Sequence, residues 1–405
     1  MTQSTFSGAG RRNAGLLSGL QALGGANPAL VVALGGLVGQ QLASNPEYAT
    51  LPVSLFNLGM AIGILPAAFF MRRLGRRNAY FLGALLGICG GLIAYLGITI
   101  SSFVIFSLGT ILAGFYSSYV QNYRFAAADS VSPEWRPKAI SWVMLGGLVA
   151  AIVGTQIILF TRDLWPATPF AATFLAQAGL AALAIPLISL LRSDAIQSAS
   201  VHTSTSTGRS LWEISKNPRF IIAVVTGMVS YSLMSFMMTA SPLAMIGCGH
   251  SVRDSTLGVQ WHILSMFAPS FVTSMLINRF GKISITLLGI VLIGAASFAA
   301  LAGLSVAHFW TSLILLGVGW NFSFIGATTL VTDCYRPEET SRVQAFNDFL
   351  IFGSVALSSF SSGKLLATQG WNGINVWTFP IVGVVSLALI WLAWHERQHK
   401  NTPAA

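Results

Sequence analysis

Polar positions in this chain do not alternate with apolar ones on the short period of an amphipathic strand or surface helix; they punctuate long apolar runs. A helix of about 20 mostly apolar residues spans a bilayer's hydrocarbon core. Twelve runs meet that length, at approximately 15–43, 50–71, 78–99, 102–127, 138–160, 166–191, 219–246, 255–277, 283–303, 306–330, 342–366 and 374–394. Asn27 and Pro28 interrupt the first run, a break that neighbouring groups or water can satisfy. The longest polar stretch, Ser193 to Pro218, is rich in Ser and Thr. It predicts a cytoplasmic linker over 193–218, with a short interfacial helix at Leu211 to Ser215, between an N-terminal bundle (1–192) and a C-terminal bundle (219–405).

Composition excludes the soluble alternative. Charged residues make up 8% of the chain and hydrophobic ones 54%, whereas a soluble domain is about a quarter charged. The 40 glycines suit close helix packing in lipid. A net charge of +10 raises the question of nucleic acid, and the placement of the cations answers it. With twelve spans, Arg162, Arg253 and Lys364 fall on one side, Arg124 lies within a span, and the remaining 18 of the 22 fall on the side of the termini. That asymmetry marks the cytoplasmic side, so both termini are expected there and the location is a plasma (inner) membrane. No nucleic acid partner is implied. Cys89, Cys248 and Cys334 have no ligand spacing, so neither a disulfide framework nor a metal site is expected. Arg11 and Arg12 precede the first apolar run, but that run is too long for a signal peptide, and a retained span is expected.

The two halves repeat one another. Arg73, Gly75, Arg76 and Gly83 match Arg279, Gly281, Lys282 and Gly289 at one offset. "GFYSSYV" from Gly114 aligns with "GWNFSFI" from Gly319, and Asp129, Pro133 and Glu134 align with Asp333, Pro337 and Glu338. A six-span repeat is a carrier signature. The expected fold is an all-α membrane protein of twelve transmembrane helices in two pseudo-symmetric six-helix bundles.

In the turn after span two, Arg73, Arg76 and Arg77 sit at the cytoplasmic surface near Asp129, which ends span four. Asp333 stands opposite Arg279 and Lys282 in the second half. Carboxylate–cation pairs there predict a gate that closes the cytoplasmic side, with simple topology determination as the alternative. Inside span four, Tyr116, Tyr119 and Tyr123 recur at helical spacing beside Gln121, Asn122 and Arg124. A polar face at that depth argues for a water-filled cavity, although Tyr123 also suits the membrane interface and Arg124 a pair with Asp129 or Asp348. Asp348 is the carboxylate deep in a predicted span, a candidate for proton coupling or for a static salt bridge. His262 is a second titratable candidate.

The segment Arg73-Leu74-Gly75-Arg76-Arg77, with the span count, linker and repeats, resembles the major facilitator superfamily of carriers (MFS fold). One departure is Arg72, where the family usually has an aspartate. The resemblance implies that spans one, four, seven and ten line a central cavity, placing Asn27, Tyr116, Tyr231, Trp320 and Asn321 around it. Aromatic walls with a few amides suit a ring-bearing solute; helix packing and buried-Asn glue is the other reading. "YVQNYRFAAAD" and "GWNFSFIGATTL" are similar to a bacterial group that includes proposed riboflavin uptake carriers. Drug or metabolite export is the rival direction.

No phosphate-binding loop, zinc-protease motif or nucleophile elbow occurs. The expectation is therefore no enzyme and no cofactor, but a monomeric secondary active transporter driven by an ion or solute gradient. A receptor or sensor on the same fold would need a sizeable soluble signalling domain, for which the linker and tails leave little room.

Overall fold

The computed structural model of the chain describes residues 2–192 and 208–401, and every regular element among them is helical. The first part of the linker, 193–207, lies outside the described residues. In order the helices are α1 (Thr2–Gly24), α2 (Ala26–Leu42), α3 (Leu51–Leu74), α4 (Arg76–Thr99), α5 (Phe103–Val120), α6 (Tyr123–Asp129), α7 (Arg136–Thr161) and α8 (Ala171–Ser189). They continue with α9 (Leu211–Ile214), α10 (Pro218–Gly247), α11 (Val252–Phe267), α12 (Ser270–Phe280), α13 (Lys282–Leu301), α14 (Val306–Thr332) and α15 (Thr340–Asn401).

Among the described residues ten helical stretches are long and apolar enough to cross a membrane, and α11 with α12, bent by 44°, makes an eleventh. Large apolar side chains point outward from them: Leu65, Phe160, Phe298 and Leu387 are each exposed by about two thirds or more. Water would not tolerate that surface; lipid requires it. The 62 residues of α15 would extend about 90 Å at 1.5 Å per residue, far beyond a bilayer core. The helix breaks at Gly370, whose φ of 68° and ψ of −173° are not helical, in the interval where the sequence predicts spans eleven and twelve to part.

Other breaks refine the predicted runs. The first apolar span divides at Gly25, and Pro28 falls in the first turn of α2, where a missing N–H removes no helical bond. Span four divides at Gln121 and Asn122. The predicted span 255–277 is two helices meeting near Pro269, which cannot donate to the preceding turn. Span six begins at Ala171 rather than 166, because Phe170 adopts a left-handed conformation (φ 68°) and starts the helix there.

The repeat is visible in the backbone. Gly75, between α3 and α4, has φ 77° and ψ 155°; Gly281, between α12 and α13, has φ 88° and ψ 154°. That region is open to glycine and closed to other residues, so both basic turns need their glycine. Close helix contact also repeats. A Cβ on Gly90 of α4 would lie 2.8 Å from the Ala113 nitrogen of α5, and one on Gly289 of α13 would lie 2.2 Å from the Ser323 nitrogen of α14.

The chain falls into two compact units. The first contains α1 to α8 and residues 249–263; the second contains α9, α10 and the chain from residue 264 onward. Residues 249–263, assigned by sequence to the second bundle, pack with the first, where Gln260 Oε1 accepts from Thr155 Oγ1 at 2.6 Å and Gln156 Nε2 at 3.1 Å. The core of the first unit gathers Leu17, Leu20, Tyr80, Tyr119 and Ile188, and the second has an apolar cluster of Ile214, Phe220, Leu330 and Val343.

Candidate functional site

At the basic turn of the first unit, the three predicted arginines have different partners. Arg76 Nη2 donates to Asp129 Oδ2 at 2.7 Å. Arg77 donates to the Ser189 carbonyl at the end of α8, and Arg73 lies over the Phe69 ring. The Asp129 pair thus involves one of the three. Ahead of this turn, the Arg11 guanidinium sits 4.2 Å from the centroid of the Trp135 ring, in the loop after α6.

The second unit elaborates the same plan. Asp333 accepts from Lys282 Nζ at 2.6 Å and from Arg219 Nη2 at 2.6 Å. Arg219 continues to Glu396 at 3.0 Å. Arg279, expected opposite Asp333, instead lies over the Phe280 ring. It belongs to the last turn of α12, which ends before the glycine, whereas Lys282 opens α13 just after it. Next to this network Glu339, with no exposed surface, accepts four N–H groups within 3.0 Å: Nε, Nη2 and the backbone nitrogen of Arg209, and the backbone nitrogen of Arg336. Those bonds, led by the Arg209 guanidinium, hold its carboxyl down to about 2 despite burial. Arg209 Nη2 also reaches the Cys334 carbonyl at 3.0 Å, and Arg342 donates to the Arg209 carbonyl. The end of the linker is thereby bound to the α14–α15 turn, and Ser210 caps α9 through the Glu213 nitrogen.

The tyrosine run of span four lies within the first unit. Tyr116 and Tyr119 are 2% exposed and Tyr123 is fully buried. The Tyr119 ring fills the space beside Gly83 and the Tyr116 ring that beside Gly87, and Tyr123 meets Tyr80 edge-on at 4.9 Å. These rings pack α5 and α6 against α4. The periodicity is real, but the face it defines looks into the bundle. Arg124 is exposed and stacked over Phe125.

Both predicted amides are committed to helix breaks. Asn27, just past the Gly25 break, donates to the Ala113 carbonyl and Ser117 Oγ of α5 at 2.8 Å each and accepts from Gln177 of α8 at 2.6 Å. Asn321 donates to the Met266 carbonyl at 2.7 Å and Ser270 Oγ at 2.6 Å, on either side of the α11–α12 break, and accepts from Thr273 at 2.6 Å. In each, both amide hydrogens serve the fold, and the helix-glue reading of these amides fits that geometry.

What remains of the predicted solute wall is aromatic and lies in the second unit. Trp320 and Phe324 of α14 stack, with 11° between planes and 5.1 Å between centroids. Tyr231 of α10 meets both edge-on at 5.2 Å, and Phe352 of α15 meets Tyr231 at 5.7 Å. Phe324 lies one helical turn after Trp320, a spacing legible in the sequence; Phe352 comes from another helix and is not. Between α10 and α15, Met228, Phe236, Leu357 and Trp377 help to line a nearly all-apolar cavity of about 420 Å³. Asp348 of α15 is partly buried, with Asn347 Nδ2 at 3.3 Å from its Oδ1, and His262 of α11 is fully buried. Among the described residues no three His, Cys, Asp or Glu side chains gather as they would around a metal ion.

Known proteins place this architecture. Residues 15–359 match the sequence profile described as Major Facilitator Superfamily. The chain is 56% identical over 392 residues to the riboflavin transporter RfnT of Brucella anthropi, covering 96% of this chain and 97% of that one. It is 29% identical over 383 residues to the uncharacterized MFS-type transporter YdeG of Bacillus subtilis, covering 91% and 88%. Among solved structures, the nucleoside transporter NupG superposes with a TM-score of 0.74 at 14% identity, covering 93% of this chain and 97% of that one. The D-xylose-proton symporter does so at 0.69 and 16%, covering 94% and 95%. With the helical repeat, the paired basic turns and a profile match over most of its length, the chain belongs to the major facilitator superfamily and is a membrane transporter.

Proposed function

We propose that this protein is an uptake carrier for riboflavin or a closely related flat heteroaromatic solute, working by alternating access across the plasma (inner) membrane. The observation that carries the reading is 56% identity along nearly the whole of both chains to a riboflavin transporter. The four-ring cluster of Tyr231, Trp320, Phe324 and Phe352 supports it chemically, because aromatic faces hold a flat ring system by stacking and edge contacts. The solute wall is read from these rings rather than from Asn27 and Asn321, whose amide hydrogens are engaged. The orientation puts both termini and the linker in the cytoplasm, on the distribution of its cations. The break at Gly370 and the bend at Pro269 bring the proposed number of crossings to twelve.

The ion pairs of Asp129 and Asp333 are read as latches on the cytoplasmic ends of their own units, remade in each transport cycle. Asp348 is read as the proton-coupling acid, with His262 second, because a carboxylate within a span is costly unless used. Expression in a riboflavin auxotroph that lacks an uptake system tests the function: growth on low external riboflavin supports it, and growth only at the level of the empty vector contradicts it. Asp348→Asn should retain counterflow and lose pH-driven accumulation. Normal accumulation at every pH would make Asp348 structural.

A further inference from the structure

The aromatic cluster contains a donor with nothing to donate to. Trp320 is 8% exposed, and its Nε1 has no hydrogen-bond partner. Buried N–H groups are almost always paired, and an unpaired one set among aromatic faces calls for an acceptor that the protein does not itself supply. Neighbouring polar groups do not compete. Asn321 commits both amide hydrogens to the α11–α12 break, and the hydroxyls of Ser230 and Ser323 bond to each other at 2.5 Å. An unpaired indole alone would mean little: Trp371, 7% exposed, also has an unpaired Nε1, but its ring pairs with Phe309 outside this cluster. Trp320 differs in that its plane continues a stacked pair and meets a third ring edge-on.

We infer that Trp320 Nε1 is a specificity-determining donor, receiving a carbonyl oxygen or ring nitrogen on the edge of a flat heteroaromatic solute whose rings pack among Tyr231, Phe324 and Phe352. Indole donates and does not accept, so the solute must supply an acceptor. The N–H lies in the indole plane, so that acceptor approaches the rim of the ring, as an edge carbonyl on a planar solute does. A site built around a buried donor discriminates strongly against solutes that leave it unmade. The inference rests on the flavin reading of the same site.

The test uses labelled riboflavin uptake by the full-length protein. Trp320→Phe keeps an aromatic ring and deletes the donor. It should raise the half-saturating concentration about tenfold, while Trp371→Phe, which deletes the other unpaired indole donor, should leave it unchanged. In the unaltered protein, lumichrome, a tricycle with ring-edge carbonyls, should compete for uptake. 9-Anthracenemethanol, a tricycle with no ring-edge carbonyl and no ring nitrogen, should not. This competition needs no variant, so a misfolded Trp320→Phe does not obscure the result. An unchanged half-saturating concentration in well-expressed Trp320→Phe, or equal competition by the two tricycles, overturns the inference while leaving flavin transport standing. If the unaltered protein shows no saturable riboflavin uptake, the flavin reading fails and the inference with it.

Discussion

The basic turns of the two units start from one sequence pattern and end as different electrostatic devices. Both have a glycine in the same unusual conformation, a cation just after it, and an aspartate ending the helix that packs alongside. In the first unit this yields the ion pair of Arg76 with Asp129, and Arg11 and Lys138 over the Trp135 ring. In the second, the aspartate bridges Lys282 and Arg219, Arg219 reaches Glu396, and Glu339, aligned with Trp135 in the repeat, is a buried carboxylate held by Arg209. The repeat preserves the backbone need and lets the side-chain load diverge. The first unit seats its preceding segment on an aromatic face; the second seats the end of the linker on a charge.

That difference orders the variants. Glu339→Ala should have the largest effect, because it leaves Arg209 and two backbone N–H groups without their acceptor. Membrane abundance should fall several-fold, read by quantitative immunoblot, while Trp135→Ala should lower it less, since cation–π contacts from exposed cations such as Arg11 and Lys138 contribute about 0.5–1 kcal/mol each. Equal losses would erase the distinction between the two seats. Next, Asp333→Asn should cut the initial uptake rate about threefold, and Asp129→Asn about twofold, at similar abundance. The first removes the anchor of two cations, the second that of one, and both pairs are partly solvated. The reverse ranking would show that the extra bonds of the second unit are decorative. The smallest effect is in pH. Arg209 keeps the Glu339 carboxyl at about 2, below the usual carboxylate range. Its stabilising contribution is therefore fully present above that usual range and is lost as pH falls through the folded value. Thermal unfolding of the purified protein should show no Glu339-dependent change between pH 7 and pH 5, measured as the difference between the unaltered protein and Glu339→Gln. A difference that shrinks already at pH 5 would contradict the clamp.

The legible part of this fold is the part encoded locally. Apolar run length gives the helices, and the glycine and basic residues of the two turns reveal the repeat, because that conformation excludes other residues. Asp129 and Asp333 can be picked out because they align, and the structure pairs both with cations near those turns. What escaped depends on partners far apart in sequence. Glu339 and Arg209 are 130 positions apart, and nothing near either identifies the other. Arg219 of α10 reaches Asp333, and Glu396 of α15 reaches Arg219, across similarly long separations. The tyrosines of span four show why periodicity gives a face but not its direction: the same spacing would line a cavity or fill a bundle, and Gly83 and Gly87 on the neighbouring helix draw the rings inward. Asn27 and Asn321 stand out in sequence as mid-span amides. Only the helix breaks beside them, with carbonyls and hydroxyls to satisfy, reveal what their hydrogens do.

The proposed cargo is a flavin-like solute that passes the aromatic cluster of the second unit. Purified protein in proteoliposomes, supplied with labelled riboflavin on one side, tests it most directly, with Tyr231→Ala as the paired sample because Tyr231 contacts the other three rings. The unaltered protein should show saturable riboflavin uptake, and Tyr231→Ala should have a several-fold higher half-saturating concentration. Uptake no greater than in protein-free liposomes, or identical saturation curves for the two proteins, would contradict it.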